Sequence, residues 1–107
     1  MKRAKLADMK GGWFVGDFAP SVVRSSDFET AIKKYTKGQR EPEHYHARTT
    51  EITVIVTGRA RMMGEIVEAG DILLLEHGEA TGFEALEDTI TCVVKFPSVP
   101  DDKVVVG

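Results

Sequence analysis

GQREPEHYHARTTEITVIVTG, residues 38–58, gathers two of the chain's three histidines, a glutamate and two bracketing glycines at fixed spacing. His44 and His46 stand two residues apart. In an extended segment both imidazoles leave the same face, about 6.6 Å apart along the strand, so together they can grip one ion. Glu51 follows His46 by five residues, an odd separation that sends it to the opposite face unless the chain bends within Ala47-Arg48-Thr49-Thr50. A bend there restores convergence. The run Glu51–Thr57 is rich in β-branched residues and predicts a strand that ends at Gly58. Thr53, Ile55 and Thr57 share the face of Glu51, while Ile52, Val54 and Val56 make the other face equally apolar. Such a strand is covered on both sides, one by an interior and the other by a second sheet or a partner subunit, which predicts a homodimer.

Gly38, five residues, His44-Tyr45-His46, four residues, Glu51, six residues and Gly58 together resemble the first motif of the cupin superfamily. The resemblance implies an all-β fold, a double-stranded β-helix or jelly-roll barrel of about eight strands, with the motif residues pointing inward. A single domain over residues 13–107, preceded by an N-terminal arm at 1–12, is the expected organisation. Gly70 opens what resembles the second cupin motif, and Gly78 fits it, but Glu76 stands at the proline position, Thr81 at the histidine position and Ala85 at the asparagine position. The fourth metal ligand that the family implies is therefore missing. Thr81 offers only a neutral hydroxyl, suited to a metal-bound water or a substrate. His77, four residues earlier in a turn, is either a solvated side chain or a substitute imidazole. WFVGDFAPSVVRS and GEATGFEALEDTITCVVKFPSVP are further similar to small stand-alone cupins with threonine at this place, a group associated with bacterial sugar and polysaccharide metabolism.

Around the motifs, the remaining chain reads as short strands separated by turns. Phe28–Lys37 alternates Phe28, Thr30 and Ile32 with Glu29, Ala31, Lys33 and Tyr35, so Lys33 and Tyr35 share a face and either line the cavity or form a solvated pair. Gln39–Glu43 is expected to be a polar connection, because Pro42 forbids helix. Trp13-Phe14-Val15-Gly16-Asp17-Phe18 is either a core strand or an aromatic wall over a pocket, and Trp13 is also suited to a subunit interface. Met62 and Met63 are expected to fill the core, and Ile72–Leu75 to form a buried strand. Phe83 and Ala85 follow Thr81 on one face, which makes Phe83 a pocket wall or core. In Thr89–Phe96, Cys92 is expected to be a small buried hydrophobe. Residues 103–106 add an edge strand or pack on a partner.

The 107 residues suit one domain, with 42% hydrophobic and 29% charged side chains, and the net charge of −3 provides no electrostatic footprint for nucleic acid or an acidic membrane. No apolar run approaches the ~18 residues needed to span a bilayer, and the basic start Met1–Lys5 lacks a following apolar segment. With the lone Cys92, this predicts a cytoplasmic protein without internal disulfides. Three functions are open. His44, His46 and Glu51 suit a divalent transition metal (Fe, Zn, Ni or Mn) that acts on a small oxygenated metabolite, such as a sugar derivative or organic acid. Alternatively, a metal-free epimerase or isomerase uses His44 or His46 as base and Tyr35 as acid. In the third, the same pocket senses a sugar without turning it over.

Overall fold

A computed structural model of the chain describes residues 1–106. Eleven strands follow one another: β1 Trp13–Gly16, β2 Val23–Arg24, β3 Glu29–Tyr35, β4 Arg40–His46, β5 Thr50–Thr57, β6 Arg59–Met62, β7 Glu65–Glu68, β8 Ile72–Leu75, β9 Thr81–Ala85, β10 Thr89–Phe96 and β11 Lys103–Val105. They form a six-stranded sheet in the order β2-β1-β3-β10-β5-β8 and a five-stranded sheet in the order β11-β4-β9-β6-β7. Ahead of β1, residues 6–12 make two single 3-10 turns. No helix among the described residues is long and apolar enough to cross a membrane.

The two sheets bury one core between them, in which Tyr35, Ile55 and Leu75 from the larger sheet meet Ala60, Met62, Val67, Phe83 and Ala85 from the smaller. Period-two alternation decides which side chains reach it. In β9 the pattern is strict, with Thr81, Phe83 and Ala85 buried and Gly82 and Glu84 half-buried. β10 corrects an expectation: Thr89, Thr91 and Val93 face inward, and Cys92 lies half-buried on the outer face. β8 is another correction, since Leu75 is buried while Ile72 and Leu74 are 69% and 57% exposed. Met63 is exposed as well, because it occupies the tight β6–β7 turn with Gly64, at φ of 50° and 75°. Two consecutive left-handed residues make the kind of hairpin turn whose twist matches the flanking strands.

The connection expected over Gln39–Glu43 shrinks to Gln39, because β4 begins at Arg40, and the pairing of β4 with β9 shifts register between Glu41 and His44, around Pro42. Proline brings no N–H to a ladder, so a mid-strand proline is accommodated at a bulge. The extra residue puts Glu41 on the same inward face as His44 and His46, which strict alternation would forbid.

Gly58 and Gly70 have nearly the same left-handed backbone, φ of 91° and 93°, in different surroundings. A Cβ on Gly70 meets nothing, whereas one on Gly58 overlaps the Asp88 carbonyl and Thr89. Gly70→Ala is expected to cost about 1–2 kcal/mol, the backbone penalty alone, and Gly58→Ala roughly 3–5 kcal/mol. Urea midpoints of the two variants measured side by side check the difference.

Candidate functional site

A cavity of about 410 Å³ opens at one end of the barrel, lined by side chains from both sheets. Its histidine wall comes from β4. His44 and His46 are buried, with ring centroids 5.3 Å apart and planes at 78°. His44 Nδ1 lies 2.9 Å from the Pro42 carbonyl oxygen. A carbonyl only accepts, so Nδ1 carries the proton and Nε2 keeps a free lone pair. Burial holds this imidazole below its ordinary pKa, opposed by the Pro42 hydrogen bond. At neutral pH His44 is thus a neutral nitrogen donor with its tautomer set by the backbone, the arrangement usual for a metal-ligating histidine.

Glu51 reaches the same wall because the chain does bend at Ala47 and Arg48, as convergence requires. Its carboxylate accepts from His46 Nε2 at 3.2 Å and from Thr53 Oγ1 at 3.0 Å. Burial raises the Glu51 carboxyl, but the His46 bond and charge, the Thr53 hydroxyl and Lys95 outweigh it and keep the group below its ordinary pKa. His46 Nδ1 is buried without any hydrogen-bond partner. The donor chemistry therefore fits a borderline divalent cation: two imidazoles, one already fixed by a carbonyl, and an ionised carboxylate. The histidine–glutamate bond would open to admit it, and among the described residues no three His, Cys, Asp or Glu side chains are already spaced as a cage.

Thr81 and His77 do not complete this set. Thr81, directly opposite His44, lines the cavity, but its hydroxyl donates to the Gly82 carbonyl at 2.7 Å and accepts from the Met63 amide at 3.1 Å. Its hydrogen is committed to the Gly82 carbonyl, and its oxygen holds the β6–β7 turn. His77 is exposed in a turn away from the cavity. Phe83 serves as wall and core together, stacked on Tyr35 at 4.3 Å between centroids.

Facing the histidines is a second group. Lys33 Nζ and Tyr35 Oη both donate to Glu41 Oε1 at 2.8 Å. Lys95 pairs with Glu29 at 2.8 Å, and Ser98 donates to the other Glu29 oxygen, also at 2.8 Å. Trp13 lies beneath both ammonium groups, 5.9 Å from Lys33 Nζ and 4.9 Å from Lys95 Nζ, and lines the cavity as an aromatic wall. Burial, with the Glu41 charge, raises the Tyr35 phenol far above its ordinary pKa, and it stays a donor. Burial raises Glu41 too, but Lys33 and Tyr35 hold it below its ordinary value. Lys33 and Tyr35 were legible as a shared face. Glu29 and Lys95 were not singled out, although each falls on the inward phase of its strand. Glu41 was hidden by the bulge.

The Ala47–Thr49 bend is held from the C-terminal segment. Asp102, 4% exposed, accepts from the Arg48 amide at 3.0 and 3.1 Å and the Thr49 amide at 2.9 Å, and its own carbonyl accepts from Ala47 at 3.1 Å. Beyond it, β11 pairs with β4 and sets Lys103 opposite His46.

No family model matches the sequence, and no curated protein does. Solved structures do match. An uncharacterized conserved protein with a double-stranded beta-helix domain from Klebsiella pneumoniae superposes with a TM-score of 0.70 at 20% identity, over 77% of this chain and 72% of that one. KdgF from Halomonas sp. gives 0.65 at 26% identity, over 72% and 74%. An RmlC-like cupin from Shewanella frigidimarina gives 0.64 at 19%, over 71% of each chain. The fold is therefore an all-β double-stranded β-helix. Within that class, the chain has the fold of a small cupin-type domain.

Burial raises the Asp102 carboxyl, but the Arg48 and Thr49 amides outweigh this and keep it below its ordinary 3.8. A depressed carboxyl pKa contributes stability that is present above 3.8 and lost as pH falls through the lower folded value. Asp102→Asn, which turns an amide donor toward amides, is expected to lose about 2–4 kcal/mol at neutral pH. The gap to the wild type narrows below pH 3.8, and urea midpoints across that range check it.

Proposed function

We propose that this cupin-type domain binds a divalent metal on His44, His46 and Glu51 and uses it to hold a small oxygenated metabolite in the barrel. The observation that carries the reading is His44: a buried, neutral imidazole whose Nδ1–H is tied to the Pro42 carbonyl while Nε2 is left free toward the cavity. A cation bound there supplies Lewis-acid polarisation of a ligand oxygen and, if it is iron, access to O2 chemistry. The chain's own part is to orient that ligand and to keep most water out. Glu51 carries the negative charge that offsets the cation, and Thr53 fixes the carboxylate. Tyr35 and Lys33 donate across the cavity, with Glu41 as their common acceptor. Enzymes share this fold at low identity, among them the DMSP lyase DddQ of Ruegeria pomeroyi and a sugar phosphate isomerase from Silicibacter pomeroyi. They make small-metabolite chemistry a natural use of the barrel and leave the substrate open.

The His46–Glu51 pair favours a second, metal-free reading. A histidine oriented by a carboxylate, with its other ring nitrogen unpartnered, is a general base awaiting a proton donor. Metal analysis of untagged protein separates the two. The first reading expects close to one divalent cation per chain, removable by chelation, and none in His44→Ala/His46→Ala. Stoichiometric metal in that variant would remove the assignment. A wild type that takes up none of Fe(II), Zn(II), Ni(II) or Mn(II) would transfer the case to the metal-free reading.

We also propose that a second copy covers the outer face of the larger sheet. Ile52, Val54, Val56, Ile72, Leu74, Cys92 and Val94 form there an uncharged patch, with Val54 between Cys92 and Ile72 in register. Three strands and three rows of side chains span roughly 300 Å². That is the size of the apolar centre of a standard interface of ~800 Å² per partner. Sedimentation of the wild type as a dimer, and of Ile72→Glu/Leu74→Glu as a monomer, is the expected result.

A further inference from the structure

The wall opposite the histidines has a composition of its own. Across β3 and β10, Lys33 stands directly opposite Thr91, and Glu29 opposite Lys95. Every ammonium on this wall is matched by one carboxylate, Lys33 with Glu41 and Lys95 with Glu29. Each lysine has three donors and each carboxylate several acceptor positions. The pairing leaves some of both for a ligand. Glu41 accepts from Lys33 and Tyr35 on the same oxygen, Oε1, which leaves Oε2 for another donor. In register with Lys33, Thr91, 1% exposed, is part of the cavity lining, and its buried hydroxyl has no hydrogen-bond partner. Leaving such a group unpaired is unfavourable, a penalty that a bound ligand would relieve.

We propose, resting on the reading of this cavity as the ligand site, that Lys33 and Thr91 of the β3–β10 wall, with Glu41 reaching them from β4, form a hydroxyl-recognising subsite for a neutral polyol face. Electroneutrality decides the class. A carboxylate or phosphate only accepts and would meet Glu41 and Glu29 as like charges, and an ammonium only donates and would meet Lys33 and Lys95. A hydroxyl does both. Adjacent hydroxyls on one ring can accept from Lys33 and donate to Glu41 Oε2, while Thr91 takes either role. The ligand is therefore polyhydroxylated and uncharged at this end, whatever group it offers to the histidines.

Trp13 is the chain's only tryptophan and sits against this wall, so its emission reports occupancy directly. The titration is made in His44→Ala/His46→Ala, so that failure of the metal reading leaves the test intact. The probes are D-glucose, D-galactose and D-mannose, each with its uronate and 2-amino sugar. The expected result is a saturable change with at least one neutral sugar, about tenfold tighter than with its charged counterparts. Adding Thr91→Val weakens that binding about tenfold, while Thr91→Ser, which keeps the hydroxyl, restores it. Thermal melts of both confirm that they are folded. Tighter binding of a uronate or amino sugar than of the neutral form, equal titrations for the valine and serine variants, or no saturable change with any probe would overturn the proposal.

Discussion

The site depends on one carboxylate that is spent on backbone amides. Asp102 gathers the Arg48 and Thr49 amides and thereby holds the chain reversal between His46 and Glu51. Without that reversal the five-residue spacing would carry Glu51 to the outer face. Backbone amides in a short bend have no ladder partners, so they must find acceptors elsewhere or be left unsatisfied. A buried carboxylate is the strongest acceptor available, and its own burial is offset by the bonds it receives. The C-terminal segment is therefore part of the site: it holds the bend through Asp102 and flanks the histidine strand through β11.

A second irregularity has the same kind of effect. The register shift around Pro42 lets Glu41 face inward beside His44, and the freed Pro42 carbonyl fixes the His44 tautomer. One bulge thus supplies the counter-charge for Lys33 and orients a nitrogen toward the cavity. Buried ion pairs of this sort are poor sources of stability, since desolvation cancels most of their attraction. A barrel end filled with Leu and Val would be at least as stable. Keeping Lys33, Lys95, Glu29 and Glu41 there is better explained by what they offer to something that enters.

These irregularities also mark where the sequence stopped being readable. His44, His46, Glu51 and the two glycines implied the fold class through their resemblance to the cupin motif, and the need for a bend before Glu51 followed from parity alone. Parity also put Lys33 with Tyr35 and Thr81 with Phe83. It failed where alternation breaks, at Glu41 behind the bulge. It failed too where an apolar run hides which phase is inside, as in ILLL of β8 and ITCVV of β10. In those runs both phases look equally buriable, and only the position of the partner sheet decides. The Asp102 clamp spans 54 residues of sequence, a contact that no local pattern encodes.

The two unpartnered buried atoms in the cavity lining, His46 Nδ1 and Thr91 Oγ1, belong to opposite walls. A folded chain that satisfies nearly all its buried polar groups leaves exceptions where something else completes them. On the β4 wall the exception is a ring nitrogen next to an ionised carboxylate, chemistry that favours a cation or a proton. On the β3–β10 wall it is a hydroxyl among balanced charges, chemistry that favours another hydroxyl. The cavity is therefore asymmetric in what it asks of a ligand. A molecule that answers both walls presents a polarisable oxygen to the histidines and an uncharged, hydroxyl-bearing face to Lys33, Glu41 and Thr91, and it must do so within about 410 Å³.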